Sequence, residues 1–384
     1  MITTPEGNTV KFRNAAAMGA IAITAAIALS SCSSTTDAGS TGSPKPSAST
    51  PAVDSTLTGT LTAGGSSAQA NAQTAWTAAF TAQAKGVTIN YDKSQGSGGG
   101  VTNWLAGSYD FAGSDAPLKP AQATAAATTC GADGAINLPV YLDGVAIIYN
   151  LDGVKDLKLS SATIAKIFSL KITTWNDPAI AADNSGATLP ATPITTVTRS
   201  DGSGTTQNFT NYLSTVAAAD WTYPASNAWP VAGSSAQQGG SGVVNTVKAG
   251  AGTIGYADHS AIGALTSASI QVGTSKDFVA FSAKGASAAF SASAGSADST
   301  VQGDLAQKLD YTKITDKSAY PIPLLSYQII CKTFKSADQA KLTKAYVGFI
   351  ASEVGQKVAA TNAGSAPVPA AMLAKIQTSL KLVK

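Results

Sequence analysis

The chain has 384 residues, of which 44% are hydrophobic and 12% charged, with a formal net charge of +3. That length accommodates two domains and that balance gives packed, globular structure, while so small a charge, with no Lys/Arg cluster or interleaved aromatic stripe, excludes a nucleic-acid surface. The single histidine, His259, excludes multi-histidine metal sites and most metal-dependent phosphatase arrangements; it reads as a surface or satisfied structural residue, and neither a metal nor a cofactor is expected.

Lys11 and Arg13 precede an apolar run from Ala15 to Leu29, too short to span a bilayer comfortably and typical of a signal peptide's central region. Residues 1–31 are therefore expected to be removed. The run ends Leu29-Ser30-Ser31-Cys32, which resembles the bacterial lipobox, in which small residues precede a cysteine that is lipidated and becomes the mature N-terminus. Anchoring through more than one acyl chain is stable, so the expectation is an extracytoplasmic protein held at the cell membrane by lipid on Cys32. Up to residue 56 the chain is Ser, Thr, Ala, Gly and Pro almost throughout, a flexible linker spanning about 25 to 30 Å on average. With Cys32 set aside, Cys130 and Cys331 remain, an even count in an oxidising compartment, and they are expected to pair.

Taken in chain order, glycine- and serine-rich loops recur between strand-like and helix-like segments. Gly64-Gly65-Ser66-Ser67-Ala68 follows a strand-like Leu57 to Ala63 and precedes a helical stretch with Trp76 and Phe80 four apart. Gly96-Ser97-Gly98-Gly99-Gly100 follows the alternating Val87 to Tyr91 and precedes Val101, Trp104 and Leu105 at helical spacing. Asp110 to Pro117 is the acidic member, with Asp115 either capping a helix whose first turn holds Pro117 or facing a ligand. Arg199-Ser200-Asp201-Gly202-Ser203-Gly204-Thr205 follows Ile194 to Val197 and opens a helix through Phe209, Tyr212 and Leu213; it combines a permanent cation, a restraining carboxylate and a hydroxyl loop, and is equally an ordinary turn with an Asx cap. Gly239-Gly240-Ser241-Gly242 precedes Val243, Val244 and Val247, with no clear strand leading in. Ser282 to Ser299 reads as low-information surface, and Leu342 to Ile350 as a core helix.

A strand-loop-helix order places such loops at the carboxyl ends of strands, where α/β sheets bind ligands, and their hydroxyl and N–H dipoles suit an anion's oxygens. An ionised carboxylate among them is acceptor-only and repels an oxyanion unless that anion brings a proton. Phosphate near neutral pH carries one and sulfate none, so Asp115 in such a site penalises sulfate.

In order and spacing these motifs resemble the phosphate-binding proteins of bacterial ABC-type phosphate uptake systems, over about Leu57 to the C-terminus; Ile164 to Phe168 and Lys171 to Pro178 also look like a family signature. The resemblance implies an α/β protein of the type II periplasmic-binding-protein fold, two lobes joined by two crossing strands with ligand between them. Lobe I is expected at 57–140 plus 322–384 and lobe II at 141–321, with crossings near Leu138-Pro139-Val140 and Pro321-Ile322-Pro323. It implies phosphate contacts from Ser67 and Ala68, Ser97, Asp115 as proton acceptor, Arg199 oriented by Asp201, and Ser203, Gly204 and Thr205. Many members have Thr-Phe where this chain has Ser67-Ala68. The implied role is that of a non-enzymatic receptor, expected as a monomer, that passes inorganic phosphate to permease subunits; the alternatives are a receptor for another tetrahedral oxyanion and a secreted phosphatase.

Overall fold

The computed structural model of the chain describes residues 53–297 and 299–384. The signal segment 1–31, Cys32 with its lipobox and the linker up to residue 52 lie outside the described residues. At the linker's far end the chain is already docked, because Asp54 accepts the Thr56 N–H at 2.9 Å and pairs with Lys341 at 3.3 Å.

β1 (Thr58–Gly65) leads into α1 (Ala70–Thr81), which buries Ala72, Gln73, Trp76 and Phe80 on one face. β2 (Gly86–Asp92) alternates buried and exposed positions as a half-covered strand should. The expected glycine loop after it is instead the first turns of α2 (Gly96–Leu105): Gly100 comes so close to Gly64 and Gly65 that a side chain there would collide with their backbone, and packing outweighs the poor helix propensity of glycine. β3 (Phe111–Ser114) is buried throughout. α3 (Pro120–Cys130) starts five residues beyond Asp115, with Lys119 at the N-cap position donating its N–H to Gln122 Oε1 at 2.9 Å, so Asp115 is not a helix cap.

β4 (Ala135–Asn150) is followed by β5 (Lys158–Leu159), α4 (Ser161–Phe168), α5 (Pro178–Asp183) and β6 (Thr195–Arg199). α6 (Gly204–Val216) follows, then β7 (Ser235–Gln237), a short strand that does lead into α7 (Gly239–Ala249) although its polar sequence gave no sign of it. β8 (Thr253–Asp258), β9 (Thr266–Ser267), β10 (Ser269–Gln271) and β11 (Phe278–Val279) come next. α8 (Ala283–Ser293) buries Ala286, Ala289 and Phe290 and so corrects the reading of this stretch as surface; small residues here are a packing face, not a solvated one. β12 (Ala294–Ser296), β13 (Gln307–Leu309), β14 (Pro323–Cys331), α9 (Ala337–Ile350), α10 (Glu353–Ala363) and α11 (Ala370–Leu380) complete the chain, with α9 buried through Leu342, Tyr346, Val347, Phe349 and Ile350.

One nine-stranded mixed sheet runs in the order β2-β1-β3-β14-β4-β8-β6-β7, with β9 also on β4. β1, β2 and β3 are parallel to one another, as are β6, β7 and β8, while β14 and β4 are antiparallel to their neighbours. β4 joins the two halves: from Ala135 to Gly144 it pairs with β14, and from Val145 to Asn150 with β8. β4 thus changes partner between Gly144 and Val145. Pro139, opposite Tyr327, sits beside a register shift that leaves Val140 unpaired, where a missing N–H is tolerated. Asn137, on the first part of β4, donates to Asp304 Oδ1 from its backbone at 2.7 Å and its side chain at 2.9 Å, so the β12–β13 region also packs against the β14 half. Cys130, ending α3, and Cys331, ending β14, form the expected disulfide.

Candidate anion-binding site

The carboxyl ends of β1, β2, β3, β6 and β7 face one cleft, and α1, α2, α6 and α7 open beside it. Helix N-termini carry N–H groups without helical partners and the positive end of the helix dipole, so four of them converging favours an anion. Backbone contacts bring the two sides together: Gly98 N–H donates to Gly202 O at 2.7 Å, and Gly240 N–H to Ser67 Oγ at 3.2 Å. A Cβ on Gly204 would lie 2.7 Å from Asp115 Cβ, and one on Gly98 would lie 2.9 Å from Gly202 O, so these glycines are required by close approach.

The serine hydroxyls share one arrangement. Ser67 Oγ accepts the Gly240 N–H, Ser97 Oγ accepts the Asp115 N–H at 3.1 Å, and Ser203 Oγ, capping α6, accepts the Thr206 N–H at 3.1 Å. With an acceptor position occupied, each is left to donate its own hydrogen. The Gly204 and Thr205 N–H groups, in the first turn of α6, add two more donors.

Arg199 is 3% exposed at the end of β6, and Asp201 holds it through Nε, at 2.7 Å, and Nη2. Burial raises the Asp201 carboxyl, but the Arg199 hydrogen bond and charge, with the Gly239 N–H at 3.0 Å, outweigh it and hold the group below its usual range. Behind Arg199 an aromatic group of Phe168, Phe209, Trp229 and Tyr256 fixes Tyr256, whose hydroxyl accepts the Arg199 N–H at 3.3 Å and pairs with Thr206 Oγ1 at 2.6 Å.

Asp115 is also 3% exposed. Its Oδ1 accepts from Ser66 Oγ and from Ser326 Oγ, the latter at 2.6 Å, and its Oδ2 from Thr205 Oγ1 at 3.0 Å. Asn208 Nδ2 holds its carbonyl at 2.6 Å. Burial pushes the carboxyl up, opposed by the three hydroxyls and the Arg199 charge. Ser67, Ser97, Asp115, Arg199, Asp201, Ser203, Gly204 and Thr205 thus lie within one connected set of contacts. Ala68 is the exception in role, since its N–H donates to Ser66 Oγ at 3.1 Å and so faces the Asp115 network.

Sequence reasoning passed over Ser66, Ser326 and Asn208. Ser66 stood inside a quoted motif, but nothing local distinguishes it from Ser67; Ser326 reaches the site only through strand pairing. It also passed over Asp258 and Asp143. Asp258, ending β8, is 1% exposed; its Oδ2 accepts from Ser260 Oγ at 2.8 Å and its Oδ1 has no hydrogen-bond partner among the described residues. Asp143, at the crossing, accepts from Gly144 N–H and Ser260 N–H, each at 2.9 Å, and from the Tyr141 hydroxyl at 3.0 Å. Burial pushes Asp143 up to about 7 and Asp258 well above the carboxylate range. His259 stacks on Phe281 with ring centroids 3.9 Å apart, a structural placement.

The family model of the PBP superfamily domain matches residues 46–354. The chain is 34% identical over 332 residues to phosphate-binding protein PstS 3 of Mycobacterium leprae (strain TN), covering 84% of this chain and 87% of that one. It is 34% identical to phosphate-binding protein PstS of Xylella fastidiosa (strain 9a5c), covering 87% and 89%. The chain belongs to the phosphate-binding protein family. Among solved structures, a high-affinity periplasmic phosphate-binding protein (PfluDING) bound with phosphate superposes on this family member with a TM-score of 0.64 at 22% identity, covering 83% of this chain and 93% of that one. The phosphate-binding protein from Stenotrophomonas maltophilia gives 0.63 at 20% identity, with the same coverage. At such identities the likeness concerns the fold, which is the type II periplasmic-binding-protein arrangement.

Proposed function

We infer that the chain is an extracytoplasmic receptor that takes inorganic phosphate into the cleft between the two halves of its sheet and passes it to the permease subunits of an ABC transporter. The observation that carries this is a buried acceptor among donors. Ser67, Ser97 and Ser203 hydroxyls, the Gly204 and Thr205 N–H groups and Arg199 supply hydrogens, while Asp115 supplies only lone pairs and so takes a ligand that brings its own proton. Ala68 contributes by orienting Ser66. Asp201 aims Arg199 and tempers its charge, which keeps a tightly held anion releasable. In this reading one lobe comprises 57–144 plus 322–384, the other 145–321, and phosphate favours the closed pair because it touches both. Lipid on Cys32 would hold the receptor, as a monomer, beside its permease.

Hydrolysis of a phosphate ester would require one of these hydroxyls to meet a base. Ser67, Ser97 and Ser203 instead accept from backbone N–H groups, which suits a binding protein and not a nucleophile. Calorimetric titration with phosphate, arsenate and sulfate tests the reading: the two protonated anions should bind and sulfate should not. Asp115→Asn should admit sulfate and weaken phosphate by roughly 10- to 100-fold, the range for a hydrogen bond to a charged group. A variant that rejects sulfate as the parent does removes Asp115 as selector, and turnover of a chromogenic phosphate ester would revive the enzyme reading.

A further inference from the structure

Behind Asp115 runs a buried amide network. Gln69 is fully buried, and its Nε2 donates to the Tyr327 carbonyl at 3.0 Å and to Ser326 Oγ at 2.7 Å. A backbone carbonyl only accepts, so Tyr327 fixes which end of the amide faces Ser326. The other end agrees, since Gln69 Oε1 receives Gln73 Nε2 and Gln328 Nε2, each at 2.8 Å. Gln73 is held in turn by the buried Tyr346 hydroxyl at 2.9 Å. Ser326 Oγ therefore receives an N–H from Gln69, and its own hydrogen goes to Asp115 Oδ1.

We propose that Gln69 is a positioning residue that sets anion selectivity, by locking the Ser326 hydroxyl as a donor and thereby keeping Asp115 an acceptor-only carboxylate. This rests on the phosphate reading above. Ser66 is locked the same way by the Ala68 N–H, so Oδ1 is saturated by two donors and Oδ2, with Thr205 on one side, is the oxygen that receives the ligand's proton. Without the Gln69 amide, Ser326 is free to turn its hydrogen away from Oδ1, and a carboxylate that has lost a donor takes a proton on Oδ2 more readily. A protonated Asp115 can donate to an anion that has no hydrogen, which ends the rejection of sulfate. The charged and titratable groups that also face Asp115 are Arg199 from β6, Asp258 from β8 and Tyr91 from β2, and they stay the same across the variants below.

The test is calorimetric titration of phosphate and sulfate at pH 5.5 and pH 8 into the parent, Gln69→Met, Ser326→Ala, Ser326→Thr and the Gln69→Met/Ser326→Ala double variant, with thermal melts to establish folding. Gln69→Met and Ser326→Ala should each narrow the phosphate-over-sulfate ratio about tenfold or more, the effect being larger at pH 5.5, where a weakened carboxylate protonates first. Ser326→Thr, which keeps the hydroxyl, should hold the parent's ratio, and the double variant should lose no more than either single one, since both act through one hydrogen bond. A folded Gln69→Met that keeps the parent's ratio within twofold at both pH values, or losses that add in the double variant, would overturn the proposal. If Gln69→Met fails to fold, Ser326→Ala against Ser326→Thr decides. A parent chain that binds neither anion overturns the phosphate reading itself, and is thereby told apart from failure of the Gln69 mechanism.

Discussion

Arg199 and Asp201 show how a cation can serve an anion site without dominating it. Asp201 occupies Nε and Nη2, so the ligand meets a guanidinium that is already half satisfied, and the pair is buried, at 3% and 6% side-chain exposure. Arg199→Ala should lower phosphate affinity about 100-fold or more in calorimetry, because it removes ionic hydrogen bonds and leaves the Asp201 charge unpaired beside the ligand. Arg199→Lys should not restore it, since an ammonium cannot span both Asp201 oxygens and reach the ligand as a planar fork does. An unaltered affinity in Arg199→Ala would displace Arg199 from the site.

At the scale of elements, closure in the proposed role depends on two chain segments meeting backbone to backbone, Gly98 N–H donating to Gly202 O at 2.7 Å. Gly98→Ala places a methyl 2.9 Å from Gly202 O and 3.3 Å from the Asn227 amide, so phosphate affinity should fall about tenfold or more while the ligand-free melting temperature changes little. An equal loss of stability without ligand would show that Gly98 serves the fold and not closure. β4 makes a separate prediction through Asp143. Its carboxyl is raised in the folded chain to about 7 from an unfolded value near 3.8, so its contribution to stability is fully present below about pH 4 and is lost as pH rises toward and through 7. Asp258 is shifted the same way. Melting temperature should decline by several degrees between pH 5 and 8, and Asp143→Asn, whatever its own cost, should flatten that slope.

These elements also mark what could be read in advance. The strand-loop-helix units around Ser67 and Arg199 were legible because hydrophobic periodicity and glycine punctuation are local signals. The start of α2 within its glycines was not, because close packing on Gly64 and Gly65 overrides propensity. The change of partner within β4, from β14 to β8 after Gly144, has no local signal either, because it depends on which strands lie alongside. Ser326 and Gln69 were invisible for a related reason, as Ser326 meets Asp115, and Gln69 meets Ser326, only once β14 is paired beside β3.

Over the whole molecule, the Cys130–Cys331 bond closes a loop between residues 201 apart in sequence. Chain entropy puts its stabilisation at up to about 5 kcal/mol. Cys130→Ser/Cys331→Ser should lower stability in denaturant titration by about 2 to 5 kcal/mol and leave phosphate affinity nearly unchanged, because both sulfurs lie at the end of the sheet away from the cleft-facing loops. A variant of parental stability would show the bond to be dispensable. β4 has the complementary role. One continuous chain segment pairs with β14 from Ala135 to Gly144, apart from the register shift at Val140, and with β8 from Val145 to Asn150, so neither half of the sheet owns a complete ladder without the other. In the proposed receptor role the two halves tilt about this strand with both ladders still attached to it, so opening and closing are motions within one cooperative unit, separate from unfolding.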